Sequence, residues 1–278
     1  MKRVIIYISD STGITAETAG HSLLTQFPAM EFEPLTLRYI NSEAKAHEAA
    51  AVINMAAKRS GQRPIVFSTL IDPLIRSIVT DSDCLYMDFM AQFLQPLSDE
   101  LGQTMRPSVG HTHSQEKHYD ARMTAVNFAL QSDDGLRTQQ YDRADIILTG
   151  VSRSGKTPTC VYLALHYGIF AANYPLVEED LEKLQLPDSL KKHRQKLFGL
   201  TISADRLHRI RGERRPDSEY ASLRQCQYEV RQVEALFRQC NLGYLDVTTM
   251  SVEEIATHIM SQAQLEQSGV EFAMPKLP

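Results

Sequence analysis

Tryptophan is absent from this 278-residue chain, and cysteine is scarce. Cys84, Cys160, Cys226 and Cys240 are the only four, and no two of them form a C-x-x-C pair. That excludes a disulfide framework or a thiolate zinc ribbon as the organising device, and reduced thiols in a cytoplasmic protein are the expected state. No apolar run approaches the ~20 residues of a membrane-spanning helix. The basic excess of a dedicated nucleic-acid binder is missing too, since the formal net charge is -5. Neither nucleic acid nor a membrane is therefore expected as a partner. Low-complexity tracts and internal repeats are also lacking. What is there is a core-forming composition, 43% hydrophobic and 23% charged, in a chain long enough for two modest domains.

The start, Met1-Lys-Arg-Val-Ile-Ile-Tyr-Ile-Ser-Asp10, pairs two cations with a short apolar stretch. The stretch breaks at Ser9-Asp10 without a small-residue cleavage pattern, so it reads as a buried first strand over residues 4–9 rather than a signal peptide. A helical pattern follows from Thr15 to Phe27, stopped by Pro28; Phe32 to Ile40 reads as extended. Glu43 to Arg59 is Ala-rich and helical, closed by Gly61, and Pro64 to Ser68 is another short strand. Leu70 to Leu101 reads as helices, with Phe89, Met90, Phe93 and Leu94 expected in a core. Between Gly102 and Tyr119 the glycines, Pro107 and polar residues mark a linker. A helix from Tyr119 to Gln131, an Asp133-Asp134-Gly135 turn and a strand from Asp145 to Thr149 follow. The expected class is α/β: an N-terminal parallel α/β domain over residues 1–105, then a P-loop kinase-like α/β domain over 106–278.

The sharpest chemical signal is Gly150-Val151-Ser152-Arg153-Ser154-Gly155-Lys156-Thr157, which fits G-x-x-x-x-G-K-[ST] without a mismatch. Average composition predicts about 0.01 chance matches in a chain of this length, so accident is a weak explanation. The flanks agree. Ile146-Ile147-Leu148 is a strand-like run before it, Pro158 suits a first helical turn, and Gly168 suits a helix end. Glycines let backbone N–H groups wrap a phosphate, and the helix N-terminus adds positive charge. Lys156 supplies a point charge to terminal phosphates, Thr157 can ligate Mg²⁺, and Arg153 adds a second cation. No guanine-reading Asn-Lys-x-Asp or Thr-Lys-x-Asp motif is present. Carboxylates open to Mg²⁺ are Asp10, Asp133, Asp134 and Asp205.

From the loop through Pro158-Thr159, Val161-Tyr-Leu-Ala164 and Ala171-Ala-Asn173-Tyr-Pro-Leu176, the chain resembles the phosphoenolpyruvate synthase regulatory protein family. That family is related to the regulators of pyruvate, phosphate dikinase. The likeness extends to Tyr7–Glu17, Tyr119-Asp-Ala-Arg122, Asp133–Gly135, Leu197–Thr201, Tyr220–Ser222 and Val252–Ala256, so it spans nearly the whole chain. The resemblance implies a bifunctional enzyme. ADP would phosphorylate a threonine of phosphoenolpyruvate synthase, and inorganic phosphate would later remove that phosphoryl group as pyrophosphate. ADP, phosphate or pyrophosphate and Mg²⁺ are the ligands it implies, with a homodimer one assembly open to it. Dikinase regulators often lack the second loop glycine, so Ser154-Gly155 points to the synthase branch. Small-molecule P-loop kinase, nucleotide-dependent binding module and dikinase regulator are the competing readings.

Four further features take their meaning beside the loop. Asp133 and Asp134 are either turn formers or, as the resemblance implies, a base and a metal-side carboxylate next to catalytic Lys156 and Arg153. Residues 191–215 gather Lys191, Lys192, Arg194, Lys196, Arg206, Arg209, Arg211, Arg214 and Arg215 against Asp205 and Glu213. Such a cluster suits phosphate or a lid, and equally a solvated helix on which Arg211 and Arg215 share a face. His111, His113 and His118 lack the partners of a zinc site and read as surface histidines. Ser9 to Gly13 closes the first strand, where open α/β sheets place ligands, and serves either a substrate or the strand end.

Overall fold

In the computed structural model, residues 2–104 and 116–265 are described, and the chain divides into two compact units, Met1–Ser114 and Gln115–Pro278. The first runs β1 (Arg3–Ile8), α1 (Ile14–Leu24), β2 (Phe32–Leu37), α2 (Glu43–Ser60), β3 (Ile65–Ser68), α3 (Pro73–Thr80), β4 (Leu85–Asp88) and α4 (Phe89–Leu101). All its strands are parallel, in the order β2-β1-β3-β4. β1 is central and covered on both faces, which is why it reads as an unbroken apolar run. Val4, Ile6 and Ile8 enter one core with Ala46, Ala49 and Ile53 of α2; Ile5 and Tyr7 enter the other with Ala16 and Leu24 of α1. Ser42 caps α2, its side chain accepting from the Lys45 amide, and Gly61 ends it in the left-handed region.

Two expectations fail in this unit. β4 lies where only helices are expected, because the four-residue strand Leu-Tyr-Met-Asp carries too little alternation to announce itself. And α4 buries no residue: Phe93 is 61% exposed, so the Phe89–Leu94 cluster is not core, although Phe89 packs partly against Phe67.

The second unit contains α5 (Glu116–Gln131), β5 (Ile146–Gly150), α6 (Lys156–Tyr167), β6 (Ala171–Pro175), α7 (Glu178–Lys183), α8 (Asp188–Lys191), β7 (Leu197–Thr201), α9 (Ala204–Arg214), α10 (Leu223–Gln239), β8 (Tyr244–Asp246) and α11 (Val252–Gln262). Its sheet is again all parallel, in the order β6-β5-β7-β8. Every residue of β5 is buried, and a single large core of sheet and helix residues surrounds it. Both units thus share one strand order without a sequence repeat. In each, the chain leaves the central strand to opposite sides, and the crevice at that strand's carboxyl end is where such sheets take ligands. In the second unit the loop 151–155 sits there. No described helix is long and apolar enough to cross a membrane.

Candidate active site

The loop is held by backbone geometry first. Gly150 has φ 151, and a Cβ there would lie 2.2 Å from the Leu200 carbonyl oxygen, so only glycine lets β5 end so close to β7. Gly155 caps α6 at φ 83, and Arg153 adopts φ 75. This conformation leaves donors over. Among the described residues, the amides of Ser152, Arg153 and Gly155 make no hydrogen bond, and the first amides of α6 have no helical partner. A cradle of N–H groups at a helix N-terminus fits a phosphate.

Lys156 opens α6 and is 5% exposed; its ammonium donates to the Val151 carbonyl at 2.8 Å. Burial lowers its pKa to about 8 against the opposing pull of Asp134, Cys160 and Asp133. Thr157 donates its hydroxyl to Asp133 Oδ1 at 2.8 Å, and Asn173 Nδ2 donates to the same oxygen. Asn173 also accepts from the Asp134 amide at 3.0 Å, and its own carbonyl accepts from Tyr141 Oη at 2.9 Å. The end of β6 therefore pins the Asp-Asp-Gly turn against the loop. The two aspartates part company at this point. Asp133 is engaged, whereas Asp134, at φ 50, is exposed and its carboxylate accepts no hydrogen bond among the described residues.

A cleft of about 510 Å³ opens over these groups. Asp134, Arg153, Lys156, Thr157, Arg214 and Arg215 line it with Tyr220. The guanidinium groups of Arg153, Arg214 and Arg215 have no ion-pair or hydrogen-bond partner among the described residues. Four cations against one acid give the cleft a charge suited to a polyanion.

Arg211 departs from expectation. It does not share an exposed face with Arg215, because α9 ends at Arg214 and the Arg211 side chain is wholly buried. Its guanidinium forks onto Glu229 at 3.0 and 2.6 Å, donates to the Ser152 carbonyl at 3.1 Å and lies 4.1 Å from the Tyr220 ring centroid. The Tyr220 and Ser152 hydroxyls meet at 2.9 Å. Arg211 is thus a strut under the loop rather than a phosphate ligand. The basic stretch as a whole is no single helix either, since β7 runs through it.

The remaining candidates separate cleanly. Asp205 is exposed in the first turn of α9. Asp10 is buried in the first unit, accepts from the Ile71 amide at 3.2 Å, and burial raises its pKa. Ser9 to Gly13 follows β1, with Gly13 left-handed before α1. Of the histidine triplet, His111 and His113 lie outside the described residues, and for His118 only the backbone is described. Glu229 carries no signal in the sequence; Asn173 and Tyr220 stand inside the quoted Ala171–Leu176 and Tyr220–Ser222 runs, but nothing local marks either as a contact of the site.

The kinase/pyrophosphorylase family profile matches residues 5–260. The chain belongs to this family. Among curated family members, a protein of Ectopseudomonas mendocina (strain ymp) is 54% identical over 96% of this chain and 99% of its own length. A protein of Alcanivorax borkumensis is 51% identical over 96% and 99%, and one of Pseudomonas aeruginosa (strain LESB58) is 53% identical over 96% and 98%. All three carry the name "Putative phosphoenolpyruvate synthase regulatory protein". The match runs from β1 to within α11 and so spans the residues of the cleft.

Proposed function

We propose that this kinase/pyrophosphorylase family member transfers the β-phosphoryl group of ADP to a threonine of phosphoenolpyruvate synthase in the cytoplasm, and removes it again with inorganic phosphate. The observation that carries this reading is one cleft in which Lys156, three unpaired arginines, free loop amides and an unengaged Asp134 converge. In the forward direction the threonine oxygen bonds to the β-phosphorus and the bond to the bridging oxygen breaks. AMP leaves with that oxygen, and the threonine proton passes to Asp134. In the return direction an oxygen of inorganic phosphate attacks the phosphothreonine phosphorus, and the bond to the threonine oxygen breaks. That oxygen recovers a proton from Asp134, and pyrophosphate is released. Phosphoryl transfer needs positioning and charge stabilisation above all, which a cationic cleft at a helix N-terminus supplies.

Asp133 and Thr157 are a hard oxygen pair of the kind Mg²⁺ uses with phosphates and water, and they would hold it. When bound, the ion neutralises phosphate charge. The names of the relatives and the complete Gly150 to Thr157 pattern favour the synthase over the dikinase as target. ADP labelled in its β-phosphate, mixed with purified synthase, tests the reading. Label should appear on a synthase threonine with AMP as co-product, and a chase with phosphate should release it as labelled pyrophosphate. Transfer from the γ-phosphate of ATP instead, or label on a small molecule, would refute it.

A further inference from the structure

A second cleft of about 400 Å³ lies on the other side of the loop. It shares Arg153, Gly155 and Ile210 with the cationic cleft, so the two are contiguous around one stretch of backbone. Its chemistry is different. Ile202, Val247, Met250, Val252 and Ile255 give it an apolar floor, drawn from the end of β7, the segment after β8 and the start of α11. Arg206, exposed and with no side-chain partner among the described residues, stands at its rim.

The segment after β8 is held rigidly. Thr248 bonds Asp246 Oδ1 through both its amide (2.9 Å) and its hydroxyl (2.5 Å), and the Ser203 amide donates to Thr248 Oγ1 at 2.8 Å. Ser251 and Glu254 then form a capping box that starts α11. Ser154 is 1% exposed, lines the cleft, and its hydroxyl has no hydrogen-bond partner among the described residues.

A polyanion site joined to an apolar slot matches a molecule with a phosphate end and a flat apolar end. We propose that the second cleft seats the base and ribose of a nucleoside diphosphate whose phosphates lie on the Lys156 side. The base packs on Ile202 and Ile255, and Arg206 covers its outer face. This rests on the nucleotide-dependent reading above and adds where the nucleoside is recognised. Pyrophosphate, which lacks that end, fills only the first cleft.

Titration calorimetry with ADP and with pyrophosphate, on the full chain, tests this with Val252→Asp. The site is the first residue of α11, where an acidic side chain suits the helix, so folding is retained. The new carboxylate sits in the apolar slot. ADP affinity should fall at least about tenfold while pyrophosphate affinity stays within about twofold, a difference of about 1.4 kcal/mol against little change. Isoleucine δ1-methyl NMR on the unaltered chain gives a second reading: Ile202 and Ile255 should shift with ADP and not with pyrophosphate. Unchanged ADP affinity in the variant, equal losses for both ligands, or methyl shifts with pyrophosphate alone would overturn the nucleoside cleft. Failure of the unaltered chain to bind either ligand would instead overturn the nucleotide reading beneath it.

Discussion

The Thr157 hydroxyl and Asp133 Oδ1, 2.8 Å apart, tie the first turn of α6 to the Asp-Asp-Gly turn that follows α5. That bond, shared with Asn173, takes Asp133 out of the running as a free base and leaves Asp134 facing the cleft. Two adjacent carboxylates thereby differ in their hydrogen bonding.

Asp134→Asn should lower the forward turnover by about 100- to 10,000-fold, the usual worth of a positioned general base, with ADP affinity nearly unchanged. Asp133→Asn should act differently, raising the Mg²⁺ concentration needed for half-maximal rate. Steady-state kinetics across a Mg²⁺ series separates them. Wild-type turnover in Asp134→Asn would remove it from the role of base.

Arg211 and Arg215 should behave as opposites. Removing Arg211 takes the cation from partly buried Glu229 and withdraws support from the Ser152 carbonyl, and breaking a pair with one buried partner costs up to about 3–5 kcal/mol. Arg211→Ala should therefore unfold at markedly lower denaturant. Arg214→Ala and Arg215→Ala should leave the denaturation midpoint alone and raise the KM for phosphate, because both guanidinium groups are exposed and unpaired. A stable Arg211→Ala with weakened phosphate binding would restore Arg211 to the role of ligand.

Lys156 gives a pH signature. Its folded pKa of about 8 lies below the ordinary 10.5, because burial outweighs the neighbouring carboxylates. Between these values the unfolded lysine holds a proton that the folded one has released, so fold stability gains with rising pH across that window. The ligand-free loop meanwhile loses its cation. Pyrophosphate affinity should fall as pH rises through about 8, and binding at about pH 9 should take up a proton, read from calorimetry in two buffers of different ionisation enthalpy. Flat affinity without proton uptake would contradict it.

The elements that position the site were legible wherever one local signal decided them. The Ile146-Ile-Leu run, Gly155, Pro158 and Gly168 mark a strand, a left-handed cap, a first turn and a helix end by rules that act over a few residues. What was not legible depends on distant partners. Arg211 looks like any other cation in a basic stretch until Glu229, eighteen positions on, closes over it, and Asn173 becomes a clamp only when β6 pairs with β5. β4 was missed because a strand of four residues carries almost no periodicity, and α4 misled because Phe93, Leu97 and Leu101 face outward.

On the proposed reading, both directions of phosphoryl transfer share the one cleft. Lys156→Ala tests it most directly, with ADP-dependent phosphorylation of the synthase and phosphate-dependent release of pyrophosphate measured on the same folded variant. Pyrophosphate resembles the two phosphates of ADP, so on the proposed reading a single ammonium serves both. Both rates should fall together by about 30- to 1,000-fold, the worth of a transition-state charge of about 2–4 kcal/mol. Loss of the kinase reaction with the phosphorolytic one intact would mean two separate sites and contradict the account.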